Sequence, residues 1–375
     1  MTYAPKATAA FDNLLAALTE ARDAYVLSQE RHRDELEAVE GFPYLAHLLS
    51  EATDLLLEAD RERPRFTSMV SPSRKYLGDN PDALYNQALI RGDRSYRIKG
   101  RRRGQSYISF TVHGPDPNGG INGPVLADVN DSALDFGPDG EFELILSADE
   151  HPGNWVKLAP TAKVVIVRNY YLRRASIQKD AAAFVEIEIE PLEDPGPAPA
   201  LDDATVASRL EEVAAFVRAN TIGTRVFGAT GTAPFVANQP NDVGTPWSFR
   251  NAGVDAAGAV DIYYSSGSFD LGPDEALVME GSVPPSRFTN VVLWNVHMQT
   301  LDYRSHRCSL NTDQIVTDKD GRYRIVVSAT DPGVPNWLDT CGHRRGTIFW
   351  RFLLPENEPE KPQCQVVHVR SLHST

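Results

Sequence analysis

Hydrophobic residues in the first part of the chain recur at helical spacing. Over residues 7–39 they form an apolar stripe with charged positions between them, typical of an amphipathic helix. The stripe consists of Phe11, Leu14, Leu15, Leu18 and Tyr25. A second stripe runs from Leu45 to Leu56, and Pro64 is expected to end it. The pattern predicts two packed helices before residue 65.

After Asn80 the hydrophobic period changes to two, which is typical of β-strands. Residues 107–112 and 142–146 alternate between apolar and polar, whereas 163–172 is a nearly continuous apolar run, as expected for a buried strand. Further strand patterns occur at residues 185–189, 261–265, 277–283, 288–298, 323–329, 347–354 and 365–370. Most of the chain is therefore predicted to be β.

A linker separates two groups of strand patterns. The segment PLEDPGPAPA, which begins at Pro191, is predicted to be stiff because proline cannot donate to a sheet's hydrogen bonds. Asp202 or Asp203 is then expected to cap a helix with apolar positions from Val206 to Val217.

The two groups of strands contain an internal repeat. The stretch FGPDGEFELILSADEHPGNWVKL, from Phe136, parallels VTDKDGRYRIVVSATDPGVPNWLDT, from Val316. The Asp-Gly aspartates lie 181 residues apart and the tryptophans 182 apart, and the apolar strands VVIVRNYYL and TIFWRFLL follow the two copies. We interpret this as a duplication.

These patterns predict a mainly β protein with a helical N-terminus. Two tandem, related β-sandwich or jelly-roll domains are expected, joined by the Pro-rich linker and a helix. The predicted units are a helical segment at 1–65, a first sandwich at 66–192, the linker and helix at 193–222 and a second sandwich at 223–375.

The composition narrows the classes of partner. The formal net charge is -14, which disfavours nucleic acid and anionic membranes as partners, because binding to either needs a dominant basic surface on the protein. We expect a small-molecule ligand. Three cysteines are too few for a disulfide framework, and there is neither a signal-peptide pattern nor a membrane-spanning apolar stretch. A cytoplasmic location is expected.

Two segments resemble known families. The stretch DGRYRIVVSATDPGVPNWLDTCGHRRGTIFWRFLLPE resembles the end of the bacterial domain of unknown function 1214, and the resemblance covers roughly Phe288 to Glu356. The segment GDNPDALYNQALIRGDRSYRI is similar to the Asn-x-Asp-x-x-Tyr signature of its usual partner, domain of unknown function 1254. The resemblance implies a C-terminal jelly roll and no settled activity.

The loop at residues 336–345 gathers the most chemistry. We expect His343 to act as a general acid or base oriented by Asp339, with Arg344 or Arg345 holding an anion. The alternative is a structural loop in which Trp337 fills the core and Asp339 caps a turn.

The segment VLWNVHMQTLDYRSHRC supplies further candidates. Tyr303 is predicted to be a secondary acid and Arg307 to assist anion binding. If His297 lies on the inner face of its strand, it could meet His343 across the sandwich; alternatively it is a buried histidine bonded to a carbonyl.

A zinc site is disfavoured. His306, Cys308, Cys341 and His343 are acceptable ligand types, but their spacing is wrong for common zinc sites and three arginines lie nearby. Phosphate loops, dinucleotide fingerprints and nucleophile elbows are missing from the sequence, so no organic cofactor is expected either.

The GDNPDALY segment and the arginine that follows it are candidates for a polar pocket mouth. The residues in question are Asn80, Asp82, Tyr85 and Arg94. They could equally form an ion-paired structural corner.

Together these features favour an enzyme without an organic cofactor. We expect a hydrolase, lyase or isomerase that acts by proton transfer on a small polar or anionic substrate, in a pocket between the two halves. The alternatives are a non-catalytic binder of small molecules or carbohydrates, with Trp155 and Trp337 as stacking platforms, or a structural subunit of a homo-oligomer.

Overall fold

A computed structural model describes residues 3–121, 123–180, 185–224, 233–250 and 259–374. The fold is mainly β, with an N-terminal helical segment and two tandem β-sandwiches. The helices are α1 (Pro5–Ala21), α2 (Glu35–Ala52) and α3 (Asp203–Ala219). Single π-helical turns, Arg22–Val26 and Thr53–Leu57, extend α1 and α2.

The expectation of one helix over residues 7–39 is wrong. The first helical stretch ends at Val26, and α2 begins at Glu35. Asp34 caps α2 by accepting the Glu37 N–H at 3.0 Å, while the Glu37 carboxylate accepts the Arg33 N–H at 2.7 Å. The acidic residues that looked like the polar face of one helix therefore form the start of the next.

The first sandwich combines a five-stranded and a four-stranded sheet. Its strands are β1 (Thr67–Ser68), β2 (Ala83–Leu89), β3 (Tyr96–Arg101), β4 (Tyr107–His113), β5 (Val125–Asn130), β6 (Glu141–Ser147), β7 (Trp155–Lys157), β8 (Val164–Tyr170) and β9 (Glu186–Pro191). The sheet orders are β1-β2-β8-β4-β5 and β7-β6-β3-β9.

The second sandwich repeats this topology strand for strand. Its strands are β10 (Trp247–Ser248), β11 (Ile262–Asp270), β12 (Glu275–Ser282), β13 (Phe288–Trp294), β14 (Ser309–Asn311), β15 (Arg322–Ser328), β16 (Trp337–Asp339), β17 (Arg345–Leu353) and β18 (Gln363–His368). The orders are β10-β11-β17-β13-β14 and β16-β15-β12-β18, which match the first half position by position. The duplication inferred from the sequence is therefore present in the topology.

The predicted strand over residues 288–298 is too long. Strand β13 ends at Trp294, because the Met298 N–H bonds back to the Asn295 carbonyl at 3.1 Å and closes a turn. His297 therefore lies in a turn and not on a strand.

The linker and α3 join the halves along the helical segment. Pro191 ends β9, an edge strand, where a missing N–H is tolerated. Asp202 caps α3 by accepting the Thr205 N–H at 2.7 Å. The helix then packs on α1 and α2 in one apolar cluster. Among the described residues, no helix is both long and apolar enough to cross a membrane.

The two sandwiches meet through the outer faces of their five-stranded sheets. On β8, Val165 and Val167 point into the first sandwich core, so the alternate residues lie on the outer face. There Val164 and Ile166 pack against the helical segment, and Tyr170 packs against the second half. The ring centroids of Tyr170 and Phe288 lie 5.1 Å apart across this interface. A cavity remains where these two outer faces diverge.

Candidate functional site

The predicted pair of His343 and Asp339 does not form. The Asp339 Oδ2 lies 2.7 Å from His306 Nδ1, and its Oδ1 accepts the Cys341 N–H at 2.7 Å. His343 instead places Nε2 2.9 Å from a Glu40 carboxylate oxygen and Nδ1 2.8 Å from the Thr340 carbonyl. Asp339 therefore orients a different histidine.

His343 is held in a charged structural contact. Burial acts to lower its pKa, but the hydrogen bond and charge of Glu40 raise the pKa overall. Because a carbonyl only accepts, Nδ1 carries a proton, and the ring can donate from Nε2 to Glu40 when it is protonated. Both ring nitrogens are thus engaged within the protein.

The three candidate arginines near this loop differ in their surroundings. Arg344 is exposed, and Arg307 is exposed and donates to the Pro335 carbonyl at 2.8 Å. Arg345 is buried and forms a bidentate ion pair with Glu37, at 2.5 Å and 2.6 Å. Arg345 therefore ties the second half to α2.

The two tryptophans of the repeat are half-buried and anchored alike. Trp337 donates its indole N–H to the Ser328 carbonyl at 3.1 Å, and Trp155 donates to the Ser147 hydroxyl at 2.9 Å. The Trp155 indole also lies 3.3 Å from the Ser147 carbonyl, so both tryptophans bond to the equivalent serine, and this contact accounts for the Trp of the repeat.

His297 contacts the helical segment and not His343. Its Nε2 lies 2.7 Å from the Glu37 carbonyl, and its Nδ1 lies 2.9 Å from the Tyr25 hydroxyl. The carbonyl fixes the proton on Nε2, so Nδ1 accepts from Tyr25. Burial lowers the pKa of His297 to about 4, which keeps the ring neutral. The condition for a meeting of His297 with His343 is not met, and His297 is instead a buried histidine bonded to a carbonyl, which was the alternative.

Tyr303 belongs to the core of the second sandwich. The Lys75 ammonium lies 4.4 Å from its ring centroid, and burial raises the pKa of its hydroxyl. The Tyr303 ring therefore stabilises the charge of the buried Lys75 through a cation–π contact.

The four residues of the disfavoured zinc set are not assembled together. Cys308 is fully buried in the second core, and His343 is bound by Glu40 and Thr340. Among the described residues, the donor atoms of His306, Asp339 and Cys341 lie within 4.8 Å of one another. The compact group of donor atoms therefore contains a carboxylate and two of the four proposed ligands.

The GDNPDALY segment crosses the interface between the halves. The Asn80 Oδ1 and the Asp82 carboxylate accept hydrogen bonds from Asn290 at 2.8 Å and 3.0 Å, and Asp82 also accepts from Asn311 at 3.0 Å. Burial raises the pKa of Asp82 to about 6, although these amide donors oppose the shift. Arg94 lies elsewhere, with its Nε 3.0 Å from Glu62.

The central cavity is the space, of about 330 Å³, between the two five-stranded sheets. It is lined by Met69, Val70, Tyr76, Leu77, Gly78, Asp79, Tyr85, Ile166, Arg168, Tyr170, Phe235, Phe249, Ala259, Tyr264, Trp294, Met298, Phe349 and Arg351. Most of these side chains are apolar or aromatic, and two are arginines. Of the predicted site residues, Tyr85 is the one that reaches it.

Arg168, on β8, is 9% exposed and is held by a neutral partner. Its guanidinium donates to the Thr111 hydroxyl at 2.5 Å, and that hydroxyl donates to Asp128 at 2.5 Å. Among the described residues, no carboxylate lies within ion-pair distance of Arg168.

Arg351, on β17, is 5% exposed and has a donor to spare. One terminal nitrogen donates to the Gly78 carbonyl at 2.9 Å, and the guanidinium carbon lies 4.7 Å from the Phe349 ring centroid and 5.3 Å from that of Trp294. The other terminal nitrogen is buried without a hydrogen-bond partner in the described part of the chain. A buried donor of this kind needs an explanation, and a bound ligand would supply its acceptor.

Gly78 makes the approach of its carbonyl possible. Its φ is +73°, and a Cβ at this position would lie 2.5 Å from the Trp294 ring. A larger residue would displace Trp294 from the cavity wall. The conformation thus depends on glycine at the start of the GDNPDALY segment.

A second, outer cavity of about 480 Å³ adjoins the first. The two share the apolar wall residues Leu77, Phe235, Trp294, Met298 and Phe349. The outer cavity reaches the helical segment at Tyr25, His32 and Tyr44. His297 lines the outer cavity and not the central one.

Comparisons with known proteins place this architecture in a family. The family described as "Protein of unknown function (DUF1214)" matches residues 268–357. The crystal structure of an uncharacterized protein from Burkholderia cenocepacia has a TM-score of 0.85 and 30% sequence identity, covering 98% of this chain and 99% of that one. The chain belongs to the same family as that Burkholderia protein, and residues 268–357 of its second half match DUF1214.

More distant comparisons add nothing to the site. A structure from Vibrio parahaemolyticus is 12% identical, with a TM-score of 0.49 and coverage of 87% of this chain and 98% of that one. No curated protein matches the chain. The resemblance of the C-terminal segment to DUF1214 is confirmed, whereas the upstream DUF1254-like signature stays a prediction.

The two cavity arginines were not among the predicted site residues. Each lies inside one of the apolar strands that follow the repeat, in VVIVRNYYL and in the DUF1214 strand TIFWRFLL. A charged residue in a strand that is otherwise buried needs a partner, and its presence in both copies was the available signal.

Proposed function

We propose that this protein binds a small organic anion in the central cavity. The observation that supports this is the pair Arg168 and Arg351, which line an apolar space, are at least nine-tenths buried, and have no carboxylate partner among the described residues.

The physical argument is the cost of a buried charge. A guanidinium removed from water is stable only when hydrogen-bonded and compensated, and neutral partners supply only part of this. A ligand carboxylate would accept a charge-assisted hydrogen bond from the terminal nitrogen of Arg351 that has no partner among the described residues. The surrounding low dielectric would strengthen that contact.

The aromatic wall suits a ligand with a flat or apolar body. The Trp294 and Phe349 rings stack with centroids 4.4 Å apart, and Tyr264 lies 5.4 Å from Phe349. Burying an apolar body against them would add to affinity. The cavity volume is in the range of small-molecule sites.

Calorimetric titration with benzoate and related arene carboxylates tests the proposal. We expect binding that Arg351→Met weakens at least tenfold. The matched control is Arg324→Met, because Arg324 lies on the exposed face of β15, across the sandwich from the cavity. If no organic anion binds at millimolar concentration, or if both variants bind as the wild type does, the proposal is wrong.

Proton-transfer catalysis on the same ligand is the second candidate, and Asp79 is the observation that favours it. Asp79 lines the cavity, and burial raises its pKa although Lys75 opposes the shift. On this proposal the acid or base is Asp79 and not His343. Turnover of a bound anion that Asp79→Asn abolishes without weakening binding would support it; unchanged ligand after long incubation would oppose it.

The first half is also proposed to be a DUF1254-like unit. The Asn-x-Asp-x-x-Tyr signature supports this, because Asn80 and Asp82 bond to the DUF1214 half and Tyr85 reaches the cavity. The signature would then serve a site that needs both halves.

A further inference from the structure

The two cavity arginines occupy equivalent positions in the duplicated fold. On the first five-stranded sheet, Arg168 pairs with Tyr85 of β2 and Ser109 of β4. On the second sheet, Arg351 pairs with Tyr264 of β11 and Asn290 of β13. The same strands, in the same order, therefore present the same Arg-Tyr pair to the cavity from opposite sides.

We infer that the ligand carries two acidic groups, one bound by Arg168 and the other by Arg351. This inference rests on the proposed function and specifies its ligand as a short dicarboxylate or a comparable dianion. The pseudo-symmetric arginines and tyrosines of the central cavity support it.

Each guanidinium is fixed separately, so the two do not act as one clamp. Arg168 is held by Thr111 of its own sheet, and Arg351 is held by the Gly78 carbonyl and the Trp294 and Phe349 rings. Each arginine is thus positioned for its own acceptor.

Charge balance favours two negative groups over one. Two guanidiniums in one poorly solvated cavity repel each other, and a monoanion would compensate only one of them. The carboxylates around the pair offer limited compensation, because burial raises the pKa of Asp79, Asp82 and Asp128 and so favours their neutral forms. A dianion would neutralise the pair.

The cavity size limits the distance between the two acidic groups. About 330 Å³ accommodates a compact spacer such as one aromatic ring, and the aromatic wall provides a surface for it. A short, flat spacer is therefore expected.

Titration of benzoate against benzene dicarboxylates, followed by calorimetry, tests the inference. We expect one dicarboxylate isomer to bind at least tenfold more tightly than benzoate. Arg168→Met should lower the affinity for that isomer to the affinity for benzoate. Arg168→Lys should lose less affinity than Arg168→Met, because lysine keeps the positive charge. The Arg324→Met control should bind as the wild type does, and thermal melting checks that each variant is folded.

The outcomes separate the inference from the proposed function. If benzoate and every dicarboxylate bind equally, and Arg168→Met weakens both alike, the site holds one anionic group; the inference is then wrong and the proposed function stands. If neither class binds to the folded wild type, both are wrong.

Discussion

At the scale of single residues, the partner of a titratable group decides what that group can do. His343 is of a residue type that is common in catalysis, but Glu40 and Thr340 occupy both of its ring nitrogens. Arg351 lies within a buried strand, and one of its terminal nitrogens has no hydrogen-bond partner among the described residues. A side chain can bind a ligand when some of its hydrogen-bonding atoms have no partner in the protein. A side chain whose atoms are all bonded within the protein forms a structural contact.

Replacing His343 by Ala should lower the free energy of unfolding by about 1–3 kcal/mol, since Glu40 and the Thr340 carbonyl would lose a buried partner. The pKa of His343 is raised in the folded state. The positive charge of His343 therefore stabilises the folded protein. This stabilisation is fully present below the unfolded pKa of about 6.5 and is lost as pH rises through the pKa of the folded state. Denaturant unfolding should show a larger effect of His343→Ala at pH 6 than at pH 8.

The matched control is His306→Ala, because His306 is exposed and its contact with Asp339 is at the surface. That variant should change stability by less than about 0.5 kcal/mol. A His343→Ala protein as stable as the wild type at both pH values would contradict the structural role.

Sequence reasoning could not supply these partners. Glu40 lies 303 residues before His343, and no local pattern connects them. Asp339 is close to His343 in sequence, yet the turn at Cys341, with a φ of +53°, separates the two side chains. The two arginines could have been recognised, because both interrupt apolar strands in corresponding copies.

At the scale of elements, the duplicated Asn-Trp loop shows how a short motif encodes the same architecture twice. The Asn154 side chain bonds to the backbone N–H and carbonyl of Asp135 and to the Glu143 carbonyl. Asn336 makes the same three bonds to Val316 and Arg324. In each copy one amide joins the loop to the preceding turn and strand.

Asn336→Ala should destabilise the second sandwich by about 2–4 kcal/mol, because three backbone groups would lose their partner in a site where Asn336 is buried. Asn154→Ala is the matched comparison and should cost less, since Asn154 is only half-buried and water can replace its bonds. Denaturant unfolding of both variants measures the difference. Equal effects, or a larger effect of Asn154→Ala, would contradict the argument from burial.

The strands were predictable because a period of two and flanking turn residues are local properties. The break between α1 and α2 is not evident from the sequence, because the acidic residues around Asp34 suit both a helical polar face and a helix start. The pairing of the strands also lay beyond local patterns. Only the repeat indicated that the two halves share one topology.

At the scale of the whole molecule, polar contacts between the halves hold the walls of the cavity. Asp261 of the second half accepts hydrogen bonds from Tyr107 at 2.8 Å and Asn130 at 2.6 Å. A second group of contacts joins Asp82 to Asn290 and Asn311. The sequence led us to expect a pocket between the halves, but its lining depends on which faces of the two sheets meet, and this follows from long-range packing.

The molecule should lose stability in weak acid through two buried neutral histidines. His297 joins the second half to the helical segment, and His113 bonds to the Gly123 carbonyl at 2.8 Å inside the first half. Burial lowers the pKa of each to about 4. Between pH 6.5 and 4 the unfolded chain gains these protons while the folded chain does not, so stability falls as pH decreases through that window.

Each histidine should contribute up to about 3 kcal/mol to this loss, from a pKa difference of about 2.5 units. Thermal melting between pH 7 and 4.5 measures the effect. His297→Gln should reduce the pH dependence of the melting temperature, since glutamine can still donate to the Glu37 carbonyl but does not titrate. A His297→Gln protein with the full acid sensitivity of the wild type would mean that His297 gains its proton at the same pH in the folded and the unfolded chain. Its assigned contact with Tyr25, in which the neutral ring accepts the hydroxyl proton, would then be wrong.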